Sequence, residues 1–157
     1  MQPLHDHYLQ FIRSSLKNDT SFSGAIPEEE QAALAALAEE HRTVPFVLPG
    51  FRNTSFYPAM LQKTKNMMLN YYQIDAFTRH TVSLLEENGI SCILLKGISL
   101  AACYPVPEYR KLGDLDLYIN EPEALEKAQV LLEAQGYKEE KELSDHHVTY
   151  RYTFPKT

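Results

Sequence analysis

Two stretches of the sequence place reactive residue types close together: Lys96-Gly97-Ile98-Ser99 and Arg110-Lys111-Leu112-Gly113-Asp114-Leu115-Asp116-Leu117. The apolar run Ile90 to Leu95 leads into the first and reads as a strand. The second opens another strand, predicted over Asp114 to Ile119. Residues two apart in a strand share a face, so Asp114 and Asp116 are expected to project to the same side, roughly 6.5 to 7 Å apart. Leu115, Leu117 and Ile119 would then turn into a core. Two carboxylates side by side repel each other unless a cation lies between them. Hard divalent ions such as magnesium, or manganese in its place, take oxygen ligands of this kind. Gly97 and Ser99 fall where a strand turns into a helix, a place where backbone N–H groups can approach a phosphate. Lys96 offers a point charge and Arg110 a bidentate fork for phosphate oxygens. The pattern points to a metal and phosphate site. The plainer alternatives are an ordinary strand-to-helix turn and aspartates paired with Arg110 and Lys111.

The elements that must position these residues follow from periodicity. Leu4, Tyr8, Phe11 or Ile12, and Leu16 recur at helical spacing over residues 4 to 16, and a loop follows through Gly24. Pro27 followed by Glu28-Glu29-Glu30 starts a second helix, acids at its positive end, with Leu34, Leu37, Ala38 and His41 on one face. It is expected to end near Arg42. Val44-Pro45-Phe46-Val47-Leu48-Pro49-Gly50 is apolar and proline-broken and reads as an irregular segment through the core. A long helix is predicted from about Tyr57 to Glu87, stopped by Asn88-Gly89. After the reactive stretches, Glu121-Pro122-Glu123 starts a helix through about Gln135, with Ala124, Leu125, Ala128, Leu131 and Leu132 inward and Gly136 as its cap. A weak strand from Tyr137 and a half-exposed one from His147 to Phe154 complete an α+β chain. Its helical N-terminal region, residues 1–89, would pack on a small mixed sheet with flanking helices in residues 90–157.

With 157 residues, 44% hydrophobic and 23% charged, the sequence is that of an ordinary globular protein with a sizeable core. A net charge of -6 argues against a broad nucleic-acid-binding surface, though not against a small basic pocket. No run approaches the ~20 apolar residues of a membrane span. The N-terminus lacks the pattern of a signal peptide. Cys92 and Cys103 read as buried thiols, which fits a reducing, cytoplasmic setting. His5 and His7 form a weak metal pair, His41 reads as a packing residue, and His146-His147 point apart in a strand.

Leu94-Leu95-Lys96-Gly97, Tyr104-Pro105-Val106-Pro107 and Arg110 through Leu117 together resemble the uncharacterised nucleotidyltransferase family of the polymerase-beta-like superfamily. The likeness takes in Ala38 to Pro45 upstream and Leu131 to Tyr137 downstream, from about Pro27 to Phe154. It implies a nucleotidyltransferase-like fold. It also implies magnesium ions on Asp114 and Asp116, bridging a nucleoside triphosphate and an acceptor of unknown identity. Lys96, Gly97, Ser99 and Arg110 would hold the nucleotide's phosphates. The expected reaction transfers a nucleoside monophosphate and releases pyrophosphate. The superfamily adds a third carboxylate on a later strand; Tyr150 to Phe154 contains no acid, and Glu139, Glu140, Glu142 and Asp145 do not match that pattern. The chain therefore resembles the N-terminal portion of a longer member, or a shortened one. The competing reading is a catalytically incomplete nucleotide-binding or protein-interaction module of the same fold. A nucleotide-sugar glycosyltransferase leaves the Lys96-Gly97 turn without a role. An aspartyl-phosphate phosphatase would need a serine or threonine where Leu117 and Tyr118 stand.

Overall fold

The computed structural model describes residues 3–19, 25–140 and 148–153. Its elements run α1 (Pro3–Leu16), α2 (Glu28–Glu40), α3 (Val44–Val47), a 3-10 turn (Leu48–Phe51), α4 (Tyr57–Glu87), β1 (Ile93–Leu94), α5 (Ile98–Ala101), β2 (Leu117–Tyr118), α6 (Pro122–Ala134), β3 (Lys138–Glu140) and β4 (Thr149–Arg151). The class is α+β. The strands form two ladders of two strands each, β1 with β2 and β3 with β4, where one small mixed sheet is expected. The chain divides into two compact units, Met1–Arg79 with Leu94–Asp116, and His80–Ile93 with Leu117–Thr157.

In the first unit, α1, α2, α3 and the first part of α4 enclose a core of Phe11, Ile26, Leu34, Ala35, Ala38, Val44, Val47, Phe51 and Met60. Pro27 caps α2, with Glu28, Glu29 and Glu30 in its first turn, where acids complement the helix dipole. Arg42 takes a left-handed conformation (φ 55°) just past the end of α2, and the Thr43 N–H returns to the Ala38 carbonyl at 2.8 Å. The expectation of an irregular 44–50 segment is corrected: it folds as α3 and a 3-10 turn, with Val44, Pro45, Phe46 and Val47 all buried. Each proline occupies one of the first two positions of its turn, where an N–H has no helical acceptor and its absence costs nothing. His41 is exposed, its ring 6.1 Å from that of Tyr8. His7 Nδ1 lies 2.6 Å from Glu30 Oε2, so its ring is engaged by an acid.

In the second unit, Leu85, Ile90 and Ala128 form the buried centre, with Cys92, Leu117, Ile119, Ala124 and Leu131 packed against it. Asn88-Gly89 stops α4 as predicted: Gly89 has φ 71°, and the Ile90 N–H reaches the Leu85 carbonyl at 2.9 Å. Leu125, predicted inward on α6, is 40% exposed. Cys103 is exposed and Cys92 half-buried, so the expectation of two buried thiols fails at Cys103 and is met only in part at Cys92. β3 and β4 pair antiparallel with Lys138 opposite Arg151, Glu139 opposite Tyr150 and Glu140 opposite Thr149. The predicted strand from His147 narrows to three residues; His146, His147, Glu142, Asp145 and Phe154 lie outside the described residues. No described helix is long and apolar enough to cross a membrane.

Tyr137 anchors this unit through its hydroxyl, 2.8 Å from that of Thr81, and through a ring stacked on Tyr152 at 4.4 Å. Burial is the main cause that raises its phenol above the ordinary 10.0; the Thr81 hydrogen bond opposes it and Tyr152 adds to it. The folded state therefore keeps this proton at pH values where the unfolded chain has lost it. That contribution to stability is complete below pH 10.0 and is lost as pH rises through the folded-state value. Chemical denaturation at stepped alkaline pH is expected to show declining stability above about pH 10, less steeply in Tyr137→Phe.

Candidate functional site

The two reactive stretches meet inside the first unit. The Leu95 N–H donates to the Asp116 carbonyl at 3.1 Å. A Cβ placed on Gly97 would stand 3.6 Å from the Asp114 carbonyl oxygen. Arg110 Nε donates to the Gly97 carbonyl at 3.2 Å. Buried side chains anchor both stretches, Ala101 at the end of α5 and Leu112 just ahead of the aspartates. Gly97 has φ 73° and ψ -112°, a conformation that only glycine adopts without strain. A Cβ here would make only an ordinary van der Waals contact with the Asp114 carbonyl oxygen, so the requirement for glycine is conformational rather than steric.

Asp114 and Asp116 precede β2 rather than lying in it, because ladder pairing is confined to Leu117–Tyr118. Strand alternation therefore does not set their directions, and the two differ in burial. Asp114 is exposed, whereas the Asp116 side chain is 28% exposed. Among the described residues, Asp116 Oδ2 is buried and has no hydrogen-bond partner, and Lys96 Nζ lies 3.4 Å from it, an ion-pair contact longer than a good hydrogen bond. A desolvated carboxylate oxygen facing an ammonium beyond good hydrogen-bond distance is only partly compensated. That is the environment a divalent cation would complete.

Arg110 does not pair with the aspartates. Its Nη1 donates to the Tyr104 hydroxyl at 3.3 Å, and its guanidinium carbon lies 5.7 Å from the centre of the Tyr104 ring. Lys111 Nζ donates to Asn70 Oδ1 at 2.7 Å. Burial, and secondarily the positive charge of Arg42, hold the Lys111 ammonium below its usual range. Neither basic residue takes the acid pairing that the plainer alternative requires; Lys96 takes it at Asp116. The Ser99 hydroxyl turns back onto the Leu95 and Lys96 carbonyls, so it closes the turn around Gly97. α5 spans four residues, which leaves little helix dipole at that turn.

Among the described residues, no group of three or more histidines, cysteines or acids is placed to hold a metal. The stretch that meets the turn carries Asp114 and Asp116, with the Asp114 carbonyl facing Gly97 and the Asp116 carboxylate facing Lys96; Glu140 on β3 pairs instead with Arg151 at 2.5 Å. Sequence reasoning gave no role to Tyr104 or to Asn70. Tyr104 opens the Tyr104-Pro105-Val106-Pro107 stretch six residues before Arg110, and its aromatic type is the signal the sequence holds for it. Asn70 lies 41 residues from Lys111 and carries no local signal.

A family model described as an uncharacterised nucleotidyltransferase matches residues 27–154. No curated protein and no solved structure matches the chain.

Proposed function

The chain belongs to an uncharacterised nucleotidyltransferase family, and from that membership we propose that it transfers a nucleoside monophosphate from a nucleoside triphosphate to an acceptor. The observation that carries this reading is the buried, unbonded Asp116 Oδ2 set beside Lys96 and the Gly97 turn. Asp114 and Asp116 would hold magnesium or manganese, which when bound neutralises phosphate charge and lowers the pKa of the acceptor. Lys96 and Arg110 supply the positive charge that binds and orients the triphosphate. Gly97 lets the backbone approach it, and Ser99 fixes the turn. In the transfer the acceptor oxygen attacks the α-phosphorus in line, losing its proton to solvent. The bond from that phosphorus to the bridging oxygen breaks, and pyrophosphate leaves. The acidic net charge supports a small-molecule or protein acceptor over a long nucleic acid. The two unpaired cysteines support a cytoplasmic setting.

A second reading keeps the binding and drops the turnover, favoured by there being two carboxylates rather than three at the turn among the described residues. Pyrophosphate release with magnesium, a triphosphate and a panel of acceptors separates the two. Release in step with acceptor modification supports the transferase, and triphosphate binding without release supports the binding module.

A further inference from the structure

The Arg110 guanidinium is held from two directions, and we propose that Tyr104 is the positioning residue that presets it for a phosphate group. The proposal rests on the nucleotide reading of the site. Of the five N–H donors of a guanidinium, one is spent on the Gly97 carbonyl and one on the Tyr104 hydroxyl. Three remain, one on Nη1 and two on Nη2. The Tyr104 ring lies against the same guanidinium, so its face and its hydroxyl act on one group.

Tyr104 is itself fixed. Its N–H closes a turn onto the carbonyl of buried Ala101 at 3.0 Å. Its ring lies 6.1 Å from that of buried Phe46, which also makes a T-shaped contact with the Tyr109 ring at 5.7 Å and 85°. The chain of contacts thus runs from the buried α3 segment through Phe46 and Tyr104 to Arg110, and from Arg110 to the Gly97 carbonyl. A long arginine side chain normally loses much rotamer freedom when it binds an anion. Here part of that freedom is already spent before any phosphate arrives, which favours tight and oriented binding. The tyrosine acts through the arginine and need not touch the phosphate.

The test is calorimetric titration of magnesium with each of the four common ribonucleoside triphosphates. It compares wild type, Tyr104→Phe, Tyr104→Leu, Arg110→Ala and the Tyr104→Leu/Arg110→Ala double variant, with melting temperatures recorded alongside. Tyr104→Phe keeps the ring and its packing and is expected to bind roughly threefold more weakly at an unchanged melting temperature. Tyr104→Leu is expected to lose roughly tenfold, through the ring and the hydroxyl together. In the Arg110→Ala background the same Tyr104→Leu change is expected to have no effect on binding, the signature of action through the arginine. Wild-type affinity in Tyr104→Phe, or an equal loss from Tyr104→Leu with and without Arg110, overturns the proposal. If wild type binds no triphosphate, the nucleotide reading itself falls and takes the proposal with it.

Discussion

Asp116→Asn is expected to abolish metal-dependent triphosphate binding and to lower pyrophosphate release by about a thousandfold or more. Loss of several kcal/mol of charge stabilisation by a metal is worth that much, at about 1.4 kcal/mol per tenfold. The fold should barely notice the change. The amide has nearly the shape of the carboxylate, and the ion pair it removes joins a Lys96 side chain 67% exposed to an aspartate 3.4 Å away. Pairs that open to solvent contribute about 0–1 kcal/mol. Against that small loss stands relief from desolvating the charge on Oδ2, which has no hydrogen bond. Calorimetric melting should therefore stay within a few degrees of wild type, while magnesium and triphosphate no longer raise it. A variant that melts far lower yet keeps its response to magnesium would assign Asp116 to structure instead.

The second large effect concerns the core that supports the site. Phe51→Ala is expected to destabilise the first unit by about 3–5 kcal/mol, the usual cost of deleting a buried phenylalanine ring. Phe51 is fully buried among Phe11, Leu34, Val47 and Met60, with the Phe56 ring 6.1 Å away. Gly50 beside it packs so closely that a Cβ there would clash with the Phe11 ring, so the space left by Phe51 has tightly packed walls. For a chain of this length the melting temperature should fall by roughly 6–20 °C, read by differential scanning calorimetry. A fall of only a degree or two would mean that the cavity collapses and that this core does not limit stability.

How much of this was legible beforehand depended on whether the signal was local. The 31-residue α4 was readable because an amphipathic period and an Asn-Gly stop both lie within its own sequence, and the structure spans Tyr57–Glu87. The buried stripe of that helix includes Thr64, Thr78 and Thr81, which hydropathy passes over. Thr78 bonds the Ile74 carbonyl at 2.8 Å and Thr81 bonds Tyr137, partners that make burial of a hydroxyl tolerable. The Val44–Gly50 stretch departs from its irregular reading because proline breaks a helix interior but is accommodated in the first turn, where both of its prolines fall. The strands were overextended because alternation shows what a strand would bury, while ladder length depends on a partner far away in sequence. In the candidate site the residue types were legible, and the Lys96–Asp116 contact joins two of them across twenty residues. The Tyr104 contact to Arg110 and the Asn70 contact to Lys111 were not legible, since each is set by tertiary packing.

The most direct measurement is thermal stabilisation of the wild-type chain by nucleoside triphosphates, with magnesium and with a chelator. Binding to the folded state raises stability by mass action, about 2.7 kcal/mol at a hundredfold excess over Kd. The nucleotidyltransferase account of Asp114 and Asp116 predicts a rise of several degrees that requires magnesium and disappears in Asp114→Asn/Asp116→Asn. A melting temperature that no triphosphate changes in the presence of magnesium would contradict it.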